Sequence, residues 1–445
     1  METTAIVNAV KRRSSSARHG RGRRNLGWAA VLLVMAIAAS AVRGALAQEG
    51  PFAFGGGLVD AGALQVTVFA SDLPYPYGLA ELPDGSLLVG INEPTDGSYF
   101  GSTGAIVRLT DDDGDGIADG PPTPLATGLP GAMSAVRVAG ELVFAVDTLP
   151  GDARISLFRL GPAPDAPLEP VGALTFSYAE QMDHGTYGIA AVTVDDEPGR
   201  YDLFFNVGSI ENDAVGGLVE ISGLASGTVA DASIYRVRLD DQSGIVTAST
   251  PEQIAEGVRN AAGLAIDERT GDLWFEDNGI DTPDDRIEAL SADELNRIPS
   301  AEIGGDVEDF GFPDTYIDYR SGEVVGPDAL APFLAFVPTG GSENEGAADI
   351  TLAPSSFPQG LNDGVFVGFH GQWDEVGAAN EENPVAYVDR STGAVTHVIS
   401  NDEPSIGHLD GLLATRDALY LADLTGTGSL VGTAPTGVIY RVAPR

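Results

Sequence analysis

The sequence predicts an all-β chain: a six-bladed β-propeller with long loop insertions on one face. Three observations lead there. A unit of similar design recurs six times. Within each unit apolar and polar residues alternate with period two, and Gly, Pro, Asp and Asn punctuate the runs, which marks strands and tight turns. An apolar strand, "LQVTVFA" (64–70), precedes the first unit without a partner of its own.

Taken in order, residues 1–47 read as an export signal. Lys11, Arg12, Arg13, Arg18, Arg21, Arg23 and Arg24 make a basic start, Leu26 to Val42 is apolar, and Ala45-Leu46-Ala47 offers a small-residue cleavage site. Arg23-Arg24-Asn25-Leu26 loosely resembles a twin-arginine signal. The alternative is an uncleaved anchor, because the apolar run approaches the length of a membrane span. The expected location is exported: periplasmic, extracellular or cell-surface. Residues 48–62, including "EGPFAFGGG", are Gly-rich and read as a linker, and 63–445 as the propeller.

Each unit combines a "G-L-x-apolar" turn, two apolar strands and an "apolar-x-R-apolar" strand. "GLAELPDGSLLVG" (78–90) leads to "IVRL" (106–109), and "GAMSAVRVAGELVFAVD" (131–147) leads to "LFRL" (157–160). "GIAAVTVDDEPGRYDLFFNVGS" (188–209) leads to "IYRVRL" (234–239), and "GLAIDERTGDLWFEDNG" (263–279) leads to "ELNRI" (294–298). "ADITLAPSSFPQGLNDGVFVGFHG" (348–371) leads to "VAYVDR" (385–390), and "LDGLLATRDALYLADLTG" (409–426) closes with "IYRV" (439–442). A lone four-stranded sheet leaves its faces uncovered, so neighbouring units stack, and radial stacking of six gives a propeller. The unpartnered strand 64–70 is expected to complete the last blade. Unit spacing grows from 53 residues (78 to 131) to 85 (263 to 348), which places the insertions between the third and fifth units.

Without the leader, 16 basic residues face 64 acidic ones, a net charge of −48, and no lysine remains. Such a chain repels nucleic-acid phosphates and anionic membranes, and attracts divalent cations. No membrane insertion of the mature domain is expected. Zero cysteines exclude disulfides and thiol catalysis.

Four stretches bear chemistry. In "DDDGDGIADG" (111–120), Asp111, Asp113 and Asp115 alternate, Gly116 permits a sharp turn and Asp119 stands ninth, as in an oxygen-rich calcium loop. Pro122 stands twelfth, so no bidentate Glu closes it; the alternative is a solvated hairpin tip. His184, in "YAEQMDHGTYGI", feeds the inner strand of the third unit and is either a proton acceptor or a hydrogen-bonded turn residue. Arg259 and Asn260, in "GVRNAAGLAI", suit a carboxylate or carbonyl, or Arg259 forms a salt bridge with a nearby carboxylate. Gly279 and Ile280 offer backbone oxygens to a hard cation, and Trp373 in "HGQWD" is a stacking platform or a core residue.

Over about 64–445, "DHGTYGI", "YDLFFNVGSIEND", "GVRNAAGLAIDERTGDLWFEDNG", "DELNRI" with "DFGFPD", and "FVGFHGQWD" occur in an order that resembles the soluble quinoprotein glucose/sorbosone dehydrogenase family. The resemblance implies a six-bladed propeller that oxidises a sugar or polyol with pyrroloquinoline quinone (PQQ) and calcium. It implies His184 as general base, Arg259 and Asn260 as cofactor contacts, and the backbone oxygens of Gly279 and Ile280 as calcium ligands. The sequence also departs from the family. No basic residue follows "HGQWD" up to Val388, Ala386 falls near an expected lysine, and the last unit opens with "GHLDGLL", putting His408 and Asp410 where the family has arginine. Two other readings stay open: a non-catalytic propeller binding a glycan or protein partner, and a calcium-dependent lactonase or esterase with Asn92, Asn206, Asn278 and Glu345 as metal-ligand candidates.

Overall fold

In the computed structural model, six antiparallel sheets stand around one axis. Residues 51–445 are described, apart from 53, 56–61, 96, 98, 150, 179–181, 195–196, 243, 283–288, 328, 339–344, 372–383, 400–407, 427–429 and 431–434. The export-signal segment and most of the linker, and Trp373, lie outside the described residues.

The first blade is Leu79–Glu81, Leu87–Pro94, Ser102–Leu109 and Thr123–Leu129. The second begins Ala132–Ala139, Leu142–Leu149, Asp152–Arg159 and Glu169–Tyr178. The third is Ile189–Thr193, Arg200–Val207, Ser233–Gln242 and Glu252–Glu256. The fourth is Leu264–Ile266, Leu273–Asp277, Asp293–Ile298 and Leu334–Phe336. The fifth is Ala347–Leu352, Gly364–Phe369, Val385–Asp389 and Val395–Ile399, and the sixth is Gly411–Ala414, Leu419–Asp423 and Gly437–Pro444. As expected, the early strand, Leu64–Leu73, completes the sixth blade by pairing antiparallel with Gly437–Pro444. Chain ends are thereby joined through backbone hydrogen bonds, and the ring is closed.

Alternation along the strands decides what fills the space between blades. Six apolar clusters form, one at each blade interface. Between the first and second blades, for instance, Leu88 and Ile106 meet Val136, Val143 and Phe158. Burial of such side chains stabilises by about 1.5–3 kcal/mol each, and it is available only when both neighbouring blades are in place.

The repeated glycine of the "G-L" turn has a steric cause. The inner strands approach so closely that a Cβ on Gly78 would lie 2.3 Å from Val136 N, one on Gly263 2.7 Å from Asp349 Cα, and one on Gly411 1.9 Å from Tyr77 O. Each glycine lets its blade touch the next at the axis.

The insertions are partly sheet. Leu218–Gly223 and Gly227–Ala230, from within the third unit, add two strands to the outer edge of the second blade. Glu308–Asp309 pairs parallel with the outer strand of the third blade. Among the described residues no helix is long and apolar enough to cross a membrane.

Candidate functional site

Two residues before Leu79, Val136, Ile189, Leu264, Ile350 and Leu412 of the six inner strands stand Tyr77, Ser134, Tyr187, Ala262, Ala348 and Asp410, one per blade. The charges of Asp410, Asp349 and Glu276 act on Tyr77, and those of Asp410 and Tyr187 on Tyr99, so groups from several blades lie near one another. Burial drives the Tyr77 hydroxyl well above its ordinary range, and the neighbouring carboxylates push the same way. Deeper in the channel, Arg137 of the second blade crosses to the fifth, where its Nη2 donates to Asp349 Oδ1 at 2.8 Å. Ala80, Ala190 and Ala265 share the register of Arg137 on other blades and leave room for this one long side chain.

Side chains near the ends of the second strands hold the loops of the mouth. Asp277 accepts from Arg259 N (3.0 Å) and Asn260 N (2.7 Å), and Asp423 accepts from His408 N (3.1 Å). One residue further along, Asn92, Asn278 and His370 share a register, and each reaches the start of the next blade's inner strand. Asn92 Nδ2 donates to Met133 O (3.4 Å), Asn278 Nδ2 to Ala347 O (2.7 Å), and His370 Nδ1 to Asp410 Oδ2 (2.6 Å).

His184 is half-buried in the loop entering the third blade. Its Nδ1 lies 3.1 Å from Ser209 O and 3.0 Å from Ser209 Oγ. The carbonyl accepts from the ring and the hydroxyl can accept or donate, so the two Ser209 oxygens together fix the ring's orientation. Ser209 N in turn donates to Arg259 O at 2.8 Å. Thus the fold brings His184 and Arg259 together through Ser209.

Arg259 is buried and its guanidinium is committed. Nε donates to Asn212 O (2.9 Å), and Nη2 to Asn212 Oδ1 (2.6 Å) and Asp281 Oδ2 (2.9 Å). The contact with Asp281 is a salt bridge. Asn260 Nδ2 donates to Asn278 Oδ1 at 2.8 Å, while its own Oδ1 is buried without a hydrogen-bond partner among the described residues. Around these loops lie carboxyls whose pKa burial raises: Asp277 to about 7, Asp293 to about 6 and Glu294 to about 8. Hydrogen bonds from Asn260 N and Arg259 N, and the Arg259 charge, offset part of the shift at Asp277.

The expected metal ligands divide. The Ile280 oxygen accepts from Leu290 N (2.6 Å) and Ser291 N (3.1 Å), so both lone pairs are engaged by the backbone. Gly279 lies on a small cavity with Arg259, Asp277, Asn278 and Glu294, and its N–H donates to Asp293 Oδ1. Asn92 and Asn206 spend their amides on backbone groups, which removes them from the set proposed for a central metal. In the 111–119 loop, carboxylate oxygens of Asp111, Asp113 and Asp115 gather within 4.8 Å of one another, whereas Asp119 turns its carboxylate to Asp112 N. This loop joins the third and fourth strands of the first blade, so the antiparallel order sets it at the end away from the axial mouth. It docks on the chain-closing strand through Thr67 Oγ1 to Gly116 O (3.1 Å) and Ala118 N to Phe69 O (2.7 Å).

His408 is fully buried, its ring stacked on His370 with centroids 4.2 Å apart, beside Asp410. His370 was not singled out from sequence, although it lies in the quoted "FVGFHGQWD"; its register with Asn92 and Asn278 is the signal that finds it.

No protein-family model and no curated protein matches this chain. Solved structures do. The PQQ-bound form of an aldose sugar dehydrogenase from Streptomyces coelicolor is 17% identical with a TM-score of 0.52, covering 86% of this chain and 99% of its own. The holo form of the pyranose dehydrogenase PQQ domain from Coprinopsis cinerea is 16% identical with a TM-score of 0.56, covering 85% and 95%. A calcium structure of a Trichoderma reesei carbohydrate-active enzyme of family AA12 is 16% identical with a TM-score of 0.55, covering 89% and 98%. The chain therefore shares the six-bladed fold of PQQ-dependent sugar dehydrogenases.

PQQ is a tricarboxylate, and the mouth does not match it. Arg137 is paired with Asp349 and Arg259 with Asp281, and the nearby ionisable groups are mostly acids.

Proposed function

We propose that the chain is an exported propeller that binds a sugar or polyol at its axial mouth and activates a hydroxyl there, as an oxidoreductase acting on CH–OH groups does. His184 is the proton acceptor. One observation carries this: both Ser209 oxygens lie within hydrogen-bond distance of His184 Nδ1 and hold the imidazole in one orientation in the loop that enters the third blade, the positioning that general acid–base catalysis requires. The shared fold and the ordered motifs support the reading. Tyr77, Tyr99 and Tyr187 supply ring faces and hydroxyls suited to a polyol. In this reading the Asp111, Asp113 and Asp115 loop holds calcium in a structural role, pinning the chain-closing strand to the first blade.

The test is dye-coupled oxidation of a panel of aldoses and polyols by the purified chain, with calcium and PQQ added, alongside calorimetric sugar binding. Turnover that falls at least about 100-fold in His184→Gln supports the reading. No turnover of any sugar in the panel by the intact chain, with or without added quinone, refutes it. The paired arginines favour a second reading, a propeller that binds a glycan or protein partner without turning it over. That reading predicts sugar binding unaffected by His184→Gln and no dye reduction.

A further inference from the structure

We propose that Asn206, on the reading that His184 is the proton acceptor, is a positioning residue that locks the turn carrying this histidine. Asn206 is buried, with 1% of its surface exposed, and its amide serves three backbone groups of a single turn. Oδ1 accepts from Tyr187 N (2.9 Å) and Gly188 N (3.0 Å), and Nδ2 donates to Gly185 O (3.2 Å). Backbone N–H groups only donate and a carbonyl only accepts, so these partners fix which way the amide faces. An ionised Asp would lack the donor, and a Ser hydroxyl would offer one atom for all three partners.

Residues 206–209 form a cradle for His184. Gly208 N donates to Gly185 O (3.1 Å), His184 N donates to Ser209 O (3.2 Å), and both Ser209 oxygens lie at the ring Nδ1. A Cβ on Gly208 would fall 2.7 Å from His184 Cβ and 2.7 Å from Gly185 O, so the two segments are in contact. Asn206 grips the turn from the residue next to His184 onward. Without its amide, Tyr187 N and Gly188 N lose their acceptor, and Gly185 O keeps one donor of two.

Register separates this role from the needs of the fold. Asn206 stands across from Gly188 at the start of the inner strand. The matching pairs in the other blades are Gly78 with Gly90, Ala135 with Val146, Gly263 with Glu276, Asp349 with Gly368 and Gly411 with Ala422. Gly90, Val146, Gly368 and Ala422 bring no polar side chain to this place, so a blade closes without one. The two polar residues, Asn206 and Glu276, belong to the blades whose entry loops carry His184 and the Arg259–Asn260 pair. Glu276 Oε1 accepts from Gly263 N at 2.7 Å, much as Asn206 Oδ1 accepts from Gly188 N.

Turnover of the panel sugars, thermal melts and NMR of the full chain with isotope-labelled histidine test this. The sequence has five histidines, and His184→Gln assigns the His184 ring signal. Asn206→Ala, which installs the residue that the sixth blade carries at this register, should lower kcat about 10- to 100-fold and leave KM within about twofold. It should also broaden or split the His184 ring resonance. Asp272→Ala removes the contacts of a buried carboxylate with Arg297 Nε and Ser300 N at the opposite end of the fourth blade. That variant should lower Tm as well, but leave kcat and the His184 resonance as in the parent. Should N206A fail to fold, Asn206→Asp, which keeps the accepted bonds and sets a carboxylate against Gly185 O, gives the same comparison. A His184 resonance unchanged in the Asn206 variants, or an equal loss of kcat in N206A and D272A, overturns the proposal. A parent chain without turnover refutes the role given to His184 above, and the ring resonance then decides the positioning by itself.

Discussion

Replacing Arg137 with Met tests the cross-channel ion pair. Asp349 is almost fully buried and accepts from Arg137 Nη2 (2.8 Å), Leu412 N (3.1 Å) and Ile350 N (2.9 Å). Burial already raises its pKa, and Arg137 offsets part of that rise. Losing the guanidinium leaves a charge served by two backbone donors. Removing one partner of a buried pair costs about 3–5 kcal/mol, and since 17% of the Arg137 side chain is exposed, the lower end, about 3 kcal/mol, applies. With an unfolding entropy of about 0.8 kcal/mol/K for a domain of this size, that lowers Tm by about 4 °C. Without Arg137 the folded pKa of Asp349 rises further above its unfolded value, so the penalty is larger at pH 8 than at pH 5. The double variant Arg137→Met with Asp349→Asn removes the charge altogether and should return to within about 1 kcal/mol of the parent. Urea denaturation of the three variants at both pH values is the assay. A single variant as stable as the parent, or a double variant no better than the single, would show that the pair does not bridge the channel.

Further outcomes follow from the same physics. Asp277, Asp293 and Glu294 have folded pKa values raised to about 7, 6 and 8. The folded state therefore holds protons that the unfolded chain has released, and stability should decline from about pH 4 to about pH 8 and then level. Glu294→Gln removes one of these protons from the balance, and thermal melts should show a gain over the parent at pH 8 and none at pH 4. Gly411→Ala puts a methyl group 1.9 Å from Tyr77 O. It should cost at least about 1–3 kcal/mol and weaken contact between the last and first blades, visible as faster amide exchange in Leu64–Leu73. Gly411 has no positive φ that would strain an alanine, so a loss within about 0.5 kcal/mol would show that the inner strands yield to the added carbon.

Sequence alone determined the six units, their order and the closing strand, because period-two alternation and turn residues are local signals that each blade repeats. It also marked the loops holding His184, Arg259 and Asn260, and found the missing basic residues. It did not reveal that Leu218–Gly223 and Gly227–Ala230 would join the second blade, since an edge strand of one unit pairs as readily with the sheet beside it as with its own. Nor did it reveal where cations go. Arg137 and Asp349 are 212 positions apart, and only closure of the ring sets second and fifth blades across one channel. His370, His408 and Asp410 likewise meet only when the fifth and sixth blades pack. A carboxylate or imidazole takes its character from its neighbours in space, and in a propeller those neighbours come from other blades.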